Sequence, residues 1–581
     1  MTTTAAGAAA FPGGMGERMA AMEARGEIDV LIVGAGVNGA GLFRDLTAQG
    51  LDCLLVEKND FAAGTSAAPS RLIHGGLKYL ETGEFRLVAQ STLERNLLLS
   101  NAPHYVKPLP TLIPIFSWTR GIGAALRTLF GSKSAPRSRG ALLIKIGLML
   151  YDFYGARHRV MPRHATAGRA ASLRGLPALT PDIVATGTYY DATVTHPERL
   201  VLELVRDGLA DSPRSAALNH VRLERSDDGG LSVHSLIAQA SATVRPKIVV
   251  NAAGPWIDEV NALLGEPSRM IGGTKGSHVL LDHPELLREL KGRMIYFEAD
   301  DGRICLVFDY LGRALAGSTD IKAADPDRVR CEPEEVDYLL ESLRRLLPKL
   351  HFSRDQIVYV YSGIRPLPAS DAKDPGLISR DHATPVLEPV PGRPYPVYSL
   401  VGGKWTTFRG YAEEVADLLL KRLSITRKRS TRDLPIGGGR LYPTSDAARR
   451  EWIGNVAREA ALPETRICEL LARYGTTAET VARHIATFQG DAALPGAPDY
   501  STGEIDYVLR HEQVGSLADL VFRRTTLAVT GRLTVRLVTA LAVQAAETLG
   551  WSETRRADEI AAVRERLKTF HGIDLDGKAE E

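Results

Sequence analysis

At 581 residues the chain exceeds what one hydrophobic core organises, so two or three domains are expected. Apolar residues make up 44% and charged residues 24%, the balance of a globular chain rather than a disordered or membrane-spanning one. A net charge of +2 gives no general basic character, which argues against a nucleic-acid partner.

Residues 1–27, rich in Ala, Thr and Gly, carry no basic segment followed by an apolar core. They read as a disordered tail and not as a signal peptide. No run of about 18 uncharged apolar residues follows, so no membrane-spanning helix is expected and the chain reads as cytoplasmic. The four cysteines (Cys53, Cys305, Cys331 and Cys468) are scattered, with neither CxxC nor metal-ligand spacing. They read as free thiols in a reducing compartment, and no metal site is expected.

The stretch 28–80 organises the rest. An apolar, β-branched run at 30–33 reads as a buried parallel strand and leads into Gly34-x-Gly36-x-x-Gly39, with helical spacing over 40–49. Gly34 permits the tight turn, Gly36 lets the backbone approach a pyrophosphate, and Gly39 lets helix and strand pack closely. The helix N-terminus offers free amides and a positive dipole end to the phosphates. A second strand, 51–56, ends at Glu57, about twenty residues on, where the fingerprint needs a ribose-binding acid. A carboxylate there accepts from a free 2′-hydroxyl and repels a 2′-phosphate, favouring FAD or NAD over NADP. Small residues and hydroxyls then cluster in Asp60–Ser66, with Thr65 and Ser66, and in Pro69–Leu80, with His74, Gly75 and Gly76. Such a loop suits close approach to a planar cofactor, and a flavin enzyme needs it where an NAD dehydrogenase rarely does.

At this point the chain resembles the FAD-dependent, quinone-linked glycerol-3-phosphate dehydrogenases. The resemblance rests on GTS…SRLIHGGLKYL and the segment after it, NAAGPW (251–256), TKGSHVLL (274–281), GSTD (317–320), YSGIRPL (361–367), ISRDH (378–382) and GGKWTTFRG (402–410). It covers roughly 28–439, in family order. Arg71 and Lys78 depart from it, since the family usually has Lys and Arg at those places. The two side chains are not equivalent at a bidentate contact. If either position touches substrate, the change bears on which polyol phosphate is taken.

Between Thr119 and Arg163 nine basic residues face a single acid, Asp152. Leu142, Leu143, Ile146, Met149, Leu150 and Phe153 recur at helical spacing. The stretch 120–163 fits either a core-packed helix or one lying on an anionic lipid surface. The resemblance, which implies a membrane quinone as electron acceptor, favours the second and a peripheral location on the inner face of the cytoplasmic membrane.

Short strands fill 173–264, and the strand 248–250 runs into Asn251, Ala252, Ala253 and Gly254 as a third cofactor-domain strand would. Residues 270–320 alternate like the sheet of a substrate domain, and 333–347 reads as an amphipathic helix with Glu334 and Glu335 in its first turn. A basic, then Pro- and Gly-rich segment at 424–439 marks the main boundary. Helices are expected over 451–474, 504–522 and 534–549, with no catalytic constellation among them.

The expected fold is mixed α/β. A Rossmann-like FAD-binding domain (about 28–100, 180–265 and 355–425) interleaves with an antiparallel-sheet substrate domain (about 101–179 and 266–354) of the D-amino-acid-oxidase/glycine-oxidase type. A C-terminal helical domain spans 440–581.

Alcohol oxidation by a flavin needs a base at the hydroxyl, and His74 is the candidate because imidazole titrates near working pH. Its alternative role is a flavin or substrate contact. A phosphomonoester calls for arginine, and the resemblance puts Arg365 and Arg380 at the substrate. It puts Lys404, beside Gly403, at the reactive end of the flavin, where a cation stabilises developing negative charge. Thr406 opens a helix facing the cofactor. Lys78, Tyr79 and Thr319 are further substrate candidates. The cofactor set is Gly34, Gly36, Gly39, Glu57, Thr65, Ser66, His74, Gly75, Gly76, Ala253, Gly254, Gly403, Lys404 and Thr406. The implied reaction is oxidation of sn-glycerol 3-phosphate to dihydroxyacetone phosphate, with electrons passing to quinone. Alternatives are another polyol phosphate such as a tetritol phosphate, an oxidase using O2, or a flavin-binding sensor without turnover. A second copy of the chain is carried as a candidate partner.

Overall fold

The computed structural model describes residues 14–76, 84–118, 147–149, 151, 161–227, 229–323, 325–369 and 381–576. Two sheets carry the architecture. In the first, the strands run in the order Val386–Leu387, Val397–Ser399, Ser241–Asn251, Glu27–Val33, Cys53–Val56 and Ala216–Leu218. The central pairings are parallel, Val33 opposite Asn251 on one side and Val56 on the other. Parallel strands are covered on both faces. Here the helices Val37–Ala48, Pro197–Asp211 and Phe408–Arg422 bury one face, and the helix Met15–Arg25 packs on the other.

That last helix corrects the expectation of disorder over 1–27 for the residues described. Met15, Met19 and Met22 fall at i, i+4 and i+7, one apolar stripe, and all three are buried against Leu31, Leu218 and Val244. A composition-level reading averages such a stripe away.

The second sheet has ten strands and is mostly antiparallel. Its path runs Ile321–Lys322, Thr274–Leu281, Arg313–Gly317, Ile304–Tyr310, Met294–Glu298, Val106–Ile115, Ala185–Val194 and Leu72–Ile73. Ile357–Arg365 joins beside Thr274–Leu281, in register from Thr274 opposite Arg365. Three of these strands, Leu72–Ile73, Ala185–Val194 and Ile357–Arg365, fall inside spans assigned above to the cofactor domain. Their alternation is that of any half-buried strand, and only long-range pairing decides which sheet receives them.

One face of this sheet packs on Pro333–Leu346, and the other on the C-terminal helices. The expected helix over 451–474 is two, Asp446–Ala460 and Glu464–Tyr474, parted by Ala461 at φ 51° and by Pro463. Beyond Thr502–His511 the chain makes a π-turn at Leu520–Arg524, then Val535–Leu549 and Glu553–His571. The basic linker before these helices is fastened down. Arg427 pairs with Asp45 at 2.8 Å, Thr431 donates to the same carboxylate, and Gln49 accepts from the amides of Lys428 and Arg429.

Candidate functional site

The glycine turn sits at the C-terminal end of the parallel sheet, where such sheets bind ligands. Gly34 has φ +105°, and a side chain there would meet the carbonyl of Ala252 at 2.6 Å. Gly36 caps the helix Val37–Ala48, whose first-turn amides point out of the helix end. Ser66 Oγ already accepts from Val37 N at 2.9 Å, which draws the 57–66 loop over the helix terminus. At the end of the second strand the Glu57 carboxylate accepts from Ala35 N (2.9 Å) and Asn59 N (3.0 Å). Burial pushes this carboxyl up, and the two amides pull it back.

Three distant segments converge on this turn. Gly402 O accepts from Asn38 Nδ2 at 3.5 Å, Trp405 Nε1 donates to Ser66 O at 3.2 Å, and Thr406 Oγ1 accepts from His74 N at 3.1 Å. Thr65 Oγ1 donates to Ile364 O at 2.6 Å, joining the loop to the end of the antiparallel sheet that carries Arg365. Ala253 and Gly254 lie where Ser241–Asn251 ends, with Asn251 Oδ1 accepting from Ala253 N. The structure therefore ties the segments that carry His74, Arg365 and Gly403–Thr406 to the glycine turn and to the Thr65–Ser66 loop. Lys78, Tyr79 and Arg380 lie outside the described residues, as does nearly all of 120–163.

The donor set suits a dinucleotide. An acid stands at the strand end, amides crown a helix, and glycine leaves space where the pyrophosphate would run. The Asn38 amide oxygen is buried beside the turn without a hydrogen-bond partner among the described residues.

Arg365 ends its strand with the guanidinium lying across Gly276, where a Cβ would fall 2.1 Å from it. It donates to Asp320 Oδ1 (3.1 Å), Ser318 Oγ (2.9 Å) and Thr319 O (3.2 Å). The Thr319 hydroxyl accepts from Ser277 N and donates to Glu335 at 2.6 Å, so it helps hold the 318–320 segment beneath Arg365. Behind Arg365, His278 stacks on Tyr361 with centroids 4.8 Å apart. Burial, then the Arg365 and Arg71 cations, hold its pKa well below the usual histidine range.

Arg71 does not stand open to substrate. It is 2% exposed, paired with Glu198 at 2.7 Å, donates to Ala67 O, and lies over the rings of Tyr310 and Tyr361. The departure at this position is thus absorbed by a buried ion pair.

Sequence reasoning missed the support behind His74. Gly75 N donates to Tyr151 Oη (2.9 Å) and Asp191 Oδ1 (3.2 Å), and Arg95 Nη1 contacts both at 2.7 and 3.1 Å. Burial drives the Tyr151 phenol well above its ordinary value, so it remains a donor and bonds Asp191. An acid at an inward position of a strand, as in TYYDATV, was the available signal.

The sequence matches two family models: that of the FAD dependent oxidoreductases over residues 29–418, and that of the C-terminal domain of alpha-glycerophosphate oxidase over 429–556. A glycerol-3-phosphate dehydrogenase of Synechocystis sp. is 32% identical, covering 93% of this chain and 96% of its own. A D-erythritol 1-phosphate dehydrogenase of Brucella abortus is 29% identical, covering 86% and 94%. Among solved structures, that of glycerol-3-phosphate dehydrogenase from Bacillus halodurans complexed with FAD superimposes with a TM-score of 0.74. It covers 97% of this chain and 99% of that one at 22% identity, a likeness of fold. The chain belongs to the FAD-dependent glycerol-3-phosphate dehydrogenase family, flavoenzymes that oxidise a CH–OH group with FAD as cofactor.

Proposed function

We propose that this protein oxidises sn-glycerol 3-phosphate to dihydroxyacetone phosphate and delivers the electrons to a membrane quinone. The reading rests on the segments that carry His74, Lys404 and Arg365 being tied to the glycine turn and its loop through Gly402, Trp405, Thr406 and Ile364. When bound, FAD supplies the acceptor for the carbinol hydride. Gly34, Gly36 and Gly39 with the helix N-terminus would hold its pyrophosphate, and Glu57 its ribose. Thr65, Ser66, Gly75, Gly76, Ala253, Gly254, Gly403 and Thr406 would line the rest of the cofactor path.

His74 takes the proton from the substrate hydroxyl, its backbone fixed by Thr406 and its neighbour Gly75 by Tyr151 and Asp191. Arg365 and Arg380 grip the phosphate, with Lys78 and Tyr79 alongside. Thr319 serves this grip by fixing the segment under Arg365. Lys404 offsets the negative charge that builds as the proton leaves.

Delivery to a membrane is supported by the end of the Val106–Ile115 strand, where Phe116 is 42% and Trp118 61% exposed just before the basic stretch. Among the described residues no helix is long and apolar enough to cross a membrane. Contact through 120–163 should bind anionic liposomes and weaken with salt.

A second reading, a longer polyol phosphate, is favoured by the Brucella relative and by Lys78; a third, O2 as acceptor, by the C-terminal family match. Anaerobic mixing separates them. Bleaching of the flavin absorbance by glycerol 3-phosphate supports the main reading. Bleaching only by a tetritol phosphate moves the substrate, and no bleaching by either sinks both. Reoxidation faster by air than by a quinone analogue would make the protein an oxidase.

A further inference from the structure

The C-terminal helices meet the parallel sheet at a fully buried carboxylate, Asp60. Its Oδ2 accepts from Arg523 Nε and Arg524 Nη1, both at 2.6 Å. Its Oδ1 accepts from Arg524 Nη2 at 2.9 Å and Asn219 Nδ2 at 2.7 Å. Arg523 and Arg524 are adjacent, and successive side chains of an α-helix diverge by about 100°. The π-turn Leu520–Arg524 ends the helix here and brings both guanidiniums to one acid.

Asp60 is the middle of the loop whose ends hold the glycine turn. Upstream stands Glu57, bonded to Ala35 N; downstream stands Ser66, bonded to Val37 N. Between them Ala62 N donates to Ala35 O at 3.0 Å. Fixing Asp60 therefore fixes the Glu57 carboxylate and the Ser66 hydroxyl relative to the helix terminus. Asp60, His220 and Asp519 also bring ligand atoms within 4.8 Å of one another. Both carboxylates already bind guanidiniums, however, and a metal cation there would meet their repulsion.

We propose that the C-terminal helical domain retains the cofactor: Arg523 and Arg524 are positioning residues that, through Asp60, hold the 57–66 loop in its FAD-binding shape. The inference needs FAD alone and is independent of the substrate. In the full-length holoenzyme, Arg524→Lys keeps the charge but loses the forked contact. FAD release, followed by recovery of free-flavin fluorescence, should quicken about tenfold or more. The gap between holo and apo melting temperatures should shrink with it. The matched control is Tyr105→Phe, which removes a 2.6 Å bond to Arg473 O across the same junction. It should lower both melting temperatures together and leave release unchanged. If Arg524→Lys does not fold, Arg523→Lys, which spares the Arg524 fork, carries the same expectation at smaller size. Wild-type FAD release in the folded variant, with holo and apo melting temperatures lowered equally, would overturn the proposal.

Discussion

The flavin-binding core meets its two neighbours in opposite ways. Toward the antiparallel sheet one buried ion pair, Arg71 with Glu198, stands among neutral contacts that involve backbone: Thr65 to Ile364 O, His74 N to Thr406, Tyr361 to Pro69 O. Toward the C-terminal helices buried ionic contacts prevail, beside neutral ones such as Tyr105 to Arg473 O. Arg199 forks onto Glu512 at 2.7 and 2.9 Å, and Arg523 and Arg524 onto Asp60. Neutral hydrogen bonds are replaceable one at a time. A buried ion pair tolerates no single loss, because the survivor is left charged and dry. The C-terminal junction, with more buried ion pairs, is thus held more strictly to one geometry than the substrate side.

The comparison can be broken hardest at Glu512, where Arg199, Arg206 and Arg524 gather. Glu512→Ala should cost about 3–5 kcal/mol of stability, read by urea unfolding. A loss under about 1 kcal/mol, the size of a neutral bond, would erase the contrast.

Next is His74→Asn, which tests the chemical side. The rate of flavin reduction should fall about a hundredfold or more, with the melting temperature unchanged. An unchanged rate would hand the proton to another group.

Acid tests the buried histidines that flank the C-terminal helices, His196 on the side of the core and His571 against Tyr359 and Val360 of the antiparallel sheet. Burial, with the Arg566 cation beside it, pushes His571 down to about 3, and burial likewise holds His196 well below the usual range. Both are neutral when folded, whereas unfolded histidine protonates near 6.5. Their stabilisation is present above pH 6.5 and drains as pH falls toward the folded values, each at about 1.4 kcal/mol per pH unit. His571→Phe should flatten that slope by one such increment, measured by unfolding between pH 6.5 and 4.5. An unaltered slope would exclude His571 from the acid response. The smallest effect belongs to the neutral side: Thr65→Val should cost about 1 kcal/mol, read by urea unfolding.

Much of the candidate site was legible because its residues sit in short, ordered motifs. The strand, the glycines and Glu57 fall within thirty-one residues, and local spacing is enough to read them. His74 and Lys404 came through resemblance and through the glycines beside them. The junction was not legible, since Asp60 and Arg524 are 464 positions apart and each alone looks like an ordinary surface charge. Arg71 illustrates the same limit. Its departure from the family residue bore on the substrate only if the position touched it, but its partner, Glu198, stands on the distant helix Pro197–Asp211. The N-terminal helix was lost for a different reason, a three-methionine stripe diluted by Ala and Gly.

The basic linker carries a consequence for modularity. In the sequence it looks like a hinge between two exchangeable parts, and the two family matches meet there. In the folded chain Asp45 and Gln49 stitch it to the end of the helix Val37–Ala48. A C-terminal half grafted from a relative would have to bring cations for Asp45 and Asp60 and a carboxylate for Arg199. The seam marks where two descriptions of the chain meet, and recombination there would succeed only between partners already matched in buried charge.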